Sequence, residues 1–358
     1  MMPRELPVEP PEVPAPPAPA AVRYIPYVTL TIAALNVLAF AVSIALGASP
    51  LLPSPDKMFE LGGNFGPATL DGEPWRMVTS MFLHYGLLHI AFNMFALLDG
   101  GRHVEAMYGR AGFAALYLFS GLVGGLASAI PGQAVSAGAS GAIFGVFGAF
   151  GAFLVRHRGR LDKEQVRKQS RGLVIFLVYN VFIGLSTKGI DMRAHIGGLA
   201  AGFAAGMLLA SERRRIASAL VVGVLGSALV FGAALVMPAP TATVLLPASK
   251  AALDRFAALE QQALTRFNKL VSDNASNAEF ARVIEAEILP IWREAKAELA
   301  DVRGLRAKVD QAMRAYADAR ERAFVDIATA ARGNDQAALT RAAAEMREAD
   351  ALVAHIND

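Results

Sequence analysis

Ser140 stands where a nucleophile would. It lies in Ala137-Gly138-Ala139-Ser140-Gly141-Ala142-Ile143-Phe144-Gly145, among small residues, and the apolar run continues to Val155. A serine hydroxyl is weak at neutral pH and needs a base within hydrogen-bond reach. His195 is the candidate base. It opens the run Ala194-His195-Ile196-Gly197-Gly198-Leu199-Ala200-Ala201-Gly202, where Gly198 and Gly202 share one helix face. Such a face lets a second helix come close. If that partner is the run from Gly138, His195 and Ser140 meet at one depth. His89 and Asn93, also four apart, project from a common face. With the Ser140 backbone N–H they could donate hydrogen bonds to a tetrahedral oxyanion. Each feature has a plainer reading. Small-residue serines and polar pairs glue membrane helices, and a histidine at a helix end can simply cap it.

The elements that must position these residues are membrane spans. The chain has 358 residues, 54% of them hydrophobic and 18% charged, and a mean hydropathy of +0.39. That is too apolar for an ordinary soluble protein of this size. There is no cysteine, which excludes disulfides, thiol nucleophiles and thiolate metal sites. A net charge of only +3 points to no nucleic-acid surface.

Residues 1–25 are rich in proline and alanine and read as a disordered cytoplasmic tail. Seven spans follow, at about 26–46, 87–98, 111–130, 138–155, 172–185, 194–210 and 216–237. The long segment between the first two holds several prolines and glycines but also Met58, Phe59, Phe65, Trp75 and Met77, and reads as a structured interfacial loop. Arginine and lysine cluster after the second, fourth and sixth spans and are scarce after the third and fifth. By the positive-inside rule, the N-terminus is then cytoplasmic and Ser140 lies on the outer side.

Residues 248–358 differ in kind. Leu253, Phe256, Leu259, Leu264, Phe267 and Leu270 recur at helical spacing, and charges of both signs are mixed among them. Ser276-Asn277-Ala278-Glu279 has the form of a capping box, Gly304 and Gly333-Asn334 read as breaks, and Pro290 and Trp292 as kink and core. A separately folding helical domain outside the membrane is expected, joined through Pro238-Ala239-Pro240 and Pro247, and not needed for the chemistry.

Taken together, these motifs resemble the rhomboid family of intramembrane serine proteases. Gly138-Ala139-Ser140-Gly141 is similar to the family's GxSG, His89 to Asn93 to its HxxxN, and Ala194-His195 with Gly198 and Gly202 to its AH and GxxxG. Trp75-Arg76 resembles the WR pair of the first loop, and Glu105 with Tyr108-Gly109 the turn after the second span. The resemblance implies a dyad of Ser140 and His195, with His89 and Asn93 serving the oxyanion hole. It implies Gly138, Gly141, Phe144, Gly198 and Gly202 as active-site support, Phe144 laying a ring against the histidine. It gives Asp191 no role as a third member.

The expected fold is an all-α polytopic membrane protein. A tail (1–25) precedes a rhomboid-like six-helix core (26–211), a basic link and seventh transmembrane helix (212–237), and a linker with an extracytoplasmic helical domain (238–358). No cofactor or metal is expected. Transmembrane protein substrates and membrane lipid are the expected partners, with a protein partner or self-association through 248–358 as a further option. The expected location is a bacterial inner (plasma) membrane. A rhomboid-like pseudoprotease, binding membrane helices without cutting them, is the main rival; such proteins usually lack the serine or the histidine. A transporter would show internal repeats, and a metalloprotease HExxH.

Overall fold

The computed structural model describes residues 24–130, 134–186, 190–209, 215–240 and 246–357. Most of the tail, the last residue of the expected 194–210 span, the first residues of the expected basic link at 212–237 and the middle of the 238–247 linker lie outside the described residues. The molecule is an all-α polytopic membrane protein. Among the described residues, five helices are long and apolar enough to cross a membrane: Tyr27–Ala45, Leu87–Ala129, Ser140–His157, Met192–Leu209 and Ala217–Val236.

Helix α1 (Tyr27–Ala45) begins after Pro26 and runs for 19 residues. Its first-turn N–H groups are satisfied from another helix: Val28 N and Thr29 N donate to the Glu105 carboxylate at 3.2 and 2.8 Å, and Thr29 Oγ1 donates to it at 2.7 Å. A fully buried carboxylate is costly unless hydrogen-bonded, and a helix N-terminus supplies both donors and a favourable dipole. Glu105 thereby ties the start of α1 to α5 (Leu87–Ala129).

Gly109 has φ +74° and ψ 168°, outside the helical region, and divides α5 into two spans. Tyr108 Oη donates to the Ala149 carbonyl of α6 (Ser140–His157) at 2.9 Å and fixes this corner. The second span is therefore longer than 87–98. Asp99, Arg102 and His103 look like a loop in sequence, but they occupy polar positions of a helix that continues to the Gly109 break.

Helix α7 (Lys163–Ser186) carries its basic residues first; its apolar part stands beside α6, with the Phe176 ring stacked on Phe147 at 3.7 Å. Helices α6 and α8 (Met192–Leu209) touch backbone to backbone. A Cβ on Gly198 would lie 2.0 Å from the Gly141 carbonyl oxygen, and one on Gly202 2.0 Å from that of Gly145. Lipid gives no hydrophobic drive for helix pairing, so close van der Waals packing of small residues has to supply it. The last span is α9 (Arg215–Leu220) continued through a π turn into α10 (Ser227–Val236).

The loop between the first two spans is folded. It contains α2 (Pro55–Glu60), α3 (Gly66–Thr69), α4 (Arg76–Thr79) and a 3-10 turn at Ser80–Phe82. Arg76 is buried in it, stacked over the Phe59 ring at 3.9 Å, paired with Glu73, and donating to the carbonyls of Phe59 and Gly63. Trp75, at 43% exposure, faces outward. The loop's apolar centre joins Met58, Phe59, Phe65, Ala68 and Leu83 to Val135 and Leu246.

Beyond Leu246 stands a bundle of α11 (Pro247–Ser272), α12 (Asn277–Val283), α13 (Leu289–Glu298), α14 (Ala307–Gly333) and α15 (Gln336–Asn357). Ser276 Oγ accepts from Glu279 N and caps α12. Pro290 follows a π turn at Ile284–Ile288, and Asn334 ends α14 in the left-handed region. Trp292 is fully buried against the rings of Phe256, Tyr316 and Phe324.

Candidate active site

Ser140 is the first residue of α6. The chain reaches it through Gly138, whose φ of +139° disfavours any side chain and whose N–H donates to the Ser80 carbonyl at 2.9 Å. Ser140 Oγ lies 2.8 Å from His195 Nε2. The glycine contacts between α6 and α8 bring the two residues together, as described above. Phe144, one turn after Ser140, lies flat on the His195 ring, with centroids 4.2 Å apart and planes 10° from parallel. The imidazole is held between this face and its bond to the hydroxyl.

For His195 Nε2 to accept from Ser140, the neutral ring must carry its proton on Nδ1. That atom is buried and has no hydrogen-bond partner among the described residues. Asp191 does not reach it. Its carboxylate caps α8, accepting from Ala194 N at 3.1 Å and from Ser128 Oγ. Among the described residues the arrangement is a pair, with no third member.

His89 faces the same space. A Cβ on Gly138 would lie 3.0 Å from His89 Nε2 and 3.7 Å from Ser140 Oγ, so only glycine leaves the ring and the hydroxyl on one small volume. The Tyr85 N–H donates to His89 Nδ1 at 3.3 Å. Nδ1 is thus the acceptor, which assigns the proton of the neutral ring to Nε2, the atom beside Gly138. Asn93 is buried one turn along, and its Nδ2 donates to the His89 carbonyl at 3.1 Å. An amide has two N–H groups, so one remains for a ligand.

This much is a serine with a base on one side and N–H donors on the other. The Rhomboid domain family matches residues 71–212, from the loop between the first two spans through α8. The chain is 32% identical over 184 residues to the Rhomboid protease GluP of Bacillus subtilis, covering 51% of this chain and 35% of that one. It is 30% identical over 190 residues to Rhomboid-like protease 1 of Toxoplasma gondii, covering 52% and 64%. With YdcA of Bacillus subtilis it shares 31% identity over 156 residues, which take in 75% of YdcA. The chain belongs to the rhomboid family. It spans about a third of GluP and just under two thirds of the Toxoplasma protein. In this rhomboid, α9 and the whole α11–α15 bundle lie beyond the matched residues.

Two residues at the rhomboid site escape sequence reasoning. His84 is 1% exposed, and its ring meets His89 edge-on at 5.1 Å. Burial, and then the neighbouring His89, push its pKa down to about 3, so it is neutral. Tyr85 donates its N–H to His89 and its Oη to the Val135 carbonyl at 2.9 Å. The one available signal was a second histidine five positions ahead of His89.

Proposed function

We propose that this rhomboid is an intramembrane serine protease, with Ser140 as nucleophile and His195 as general base. The carrying observation is the 2.8 Å contact between Ser140 Oγ and His195 Nε2, with Phe144 stacked behind the ring. Ser140 Oγ attacks the scissile carbonyl as its proton passes to His195 Nε2. His89 Nε2–H, Asn93 Nδ2–H and the Ser140 backbone N–H, at the start of α6, donate to the developing oxyanion. His195 then protonates the leaving amine, and water releases the acyl group by the same steps reversed. The glycines Gly138, Gly141, Gly198 and Gly202 keep the two helices and the His89 ring in reach of one another.

The substrates in this reading are transmembrane proteins, cut near the end of a helix where the backbone can unwind. The basic links after the second, fourth and sixth spans favour an inside N-terminus, with the site and the bundle on the outer face of a bacterial inner membrane. A fluorophosphonate probe tests the assignment. It is expected to label the wild type and neither Ser140→Ala nor His195→Ala, with cleavage of a model transmembrane substrate falling by at least about 10⁴-fold in both. A correctly folded wild type that binds such a substrate, resists the probe and leaves it uncut would make this a pseudoprotease.

A further inference from the structure

Helices α11 and α14 of the outer bundle begin without a cap of their own. Leu246 and Arg306 occupy the capping positions, and neither side chain caps its helix. By contrast α12 carries its own Ser276. The missing caps come from the interfacial loop. Asp56 Oδ1 accepts from Ala248 N, the first N–H of α11 after Pro247, at 3.2 Å, and Asp71 accepts from Ala307 N at the start of α14.

The ring of Phe65, which lies between the two aspartates in sequence, is covered by the bundle. A Cβ on Gly304 would lie 2.9 Å from that ring, and Leu246 belongs to the same apolar centre. Ser249 Oγ accepts from Arg303 N at 2.7 Å and donates to Arg303 O at 2.9 Å, which joins the two helix starts into one face. The next residue after the interfacial Asn64 is Phe65, and Asn64 pairs by backbone hydrogen bonds in both directions with Ser136, at 2.9 and 2.7 Å. The Asn64 amide also donates to the Gly125 carbonyl of α5 at 2.7 Å. Four residues after Ser136 comes Ser140.

We propose that Asp56 and Asp71 are positioning residues: they latch the outer bundle onto the loop, and the latched bundle fixes the 134–140 segment on which attack by Ser140 depends. This rests on the serine-protease reading above. Asparagine caps a helix about as well as aspartate, whereas alanine does not, and each lost cap shifts a docking equilibrium by about fivefold. The latch therefore predicts a graded series of variants.

The test uses the full chain in detergent. Because the protein contains no cysteine, Lys57→Cys with Ala248→Cys introduces one thiol pair across the contact, and a short bis-maleimide reports and locks docking. Asp56→Ala with Asp71→Ala is expected to lower cross-linking yield, fluorophosphonate labelling of Ser140, and kcat on a model transmembrane substrate by about tenfold, with KM little changed. Asp56→Asn with Asp71→Asn is expected to keep all three, and locking the alanine variant is expected to restore its kcat. An alanine variant that is undocked yet turns over at the wild-type rate overturns the proposal. So does a loss confined to KM, which would make the bundle a substrate-docking surface, or a locked variant that stays slow. A Lys57→Cys, Ala248→Cys protein with both aspartates intact that cross-links normally but resists the probe overturns the protease reading, and the catalytic role of the latch with it.

Discussion

The two histidines that face Ser140 have different tasks in the protease reading. To take the serine proton, His195 must present a lone pair on Nε2, whereas the Tyr85 N–H at Nδ1 leaves His89 an N–H on Nε2. His89→Ala and Asn93→Ala are accordingly expected to be partial variants. Losing one oxyanion donor costs roughly 10²–10³ in kcat, because the other donors remain; unchanged turnover in both would reassign the pair to helix packing. His84 gives the site an acid sensitivity of its own. Its pKa is about 3 in the folded chain and 6.5 in the unfolded one, so the unfolded state binds the extra proton. Stability is full above pH 6.5 and falls by about 1.4 kcal/mol per pH unit as pH drops from there toward 3. In His84→Phe, which keeps a ring against His89, the loss measured by unfolding in detergent between pH 6.5 and 5 is expected to shrink by about 2 kcal/mol. That Ser140, His195, His89 and Asn93 would stand around one space was legible because each sits in a motif with a required spacing. His84 and Tyr85 act through packing and a backbone N–H, which leave no pattern in sequence.

At the scale of elements, the site is a consequence of how closely α6 and α8 approach. Gly202→Val puts a branched side chain where even a Cβ would sit 2.0 Å from the Gly145 carbonyl oxygen. The helices must part, at a cost of about 1–3 kcal/mol or more. Both a lower unfolding midpoint in detergent and weak fluorophosphonate labelling are expected, since His195 moves with α8. The Glu105 contact is separable from this. Glu105→Ala leaves the Val28 and Thr29 N–H groups without their acceptor and is expected to cost about 1–3 kcal/mol in unfolding experiments, with labelling of the folded fraction unchanged. The five helices apolar enough to cross were readable from hydropathy, and the breaks at Gly304 and Asn334 from residue type; Lys163–Ser186, where a fifth span was expected, is not among those five. The length of the second span was not readable, because a charged stripe on a helix and a charged loop have the same composition.

For the whole molecule, the α11–α15 bundle was legible as helical from its periodicity, and its seam with the core was not. A proline-rich link and evenly mixed charges describe a detached domain. The residues that attach it, Asp56 and Asp71, lie 192 and 236 positions before their partners, beyond the reach of any local capping signature. Truncation after Pro240 is therefore expected to slow cleavage of a short generic transmembrane substrate in detergent by about tenfold or more, since a small misplacement of reacting groups is expensive in rate. That long separation also orders events during synthesis. Ser140 and His195 are both made before any residue of α11 or α14, so a nascent chain holds the proposed dyad while still lacking the bundle. Under the latch, such a chain is slack until its last helices have folded. In the protease reading, newly inserted neighbours at the same translocation site would be spared, and cutting would begin only once this chain had been released into the bilayer.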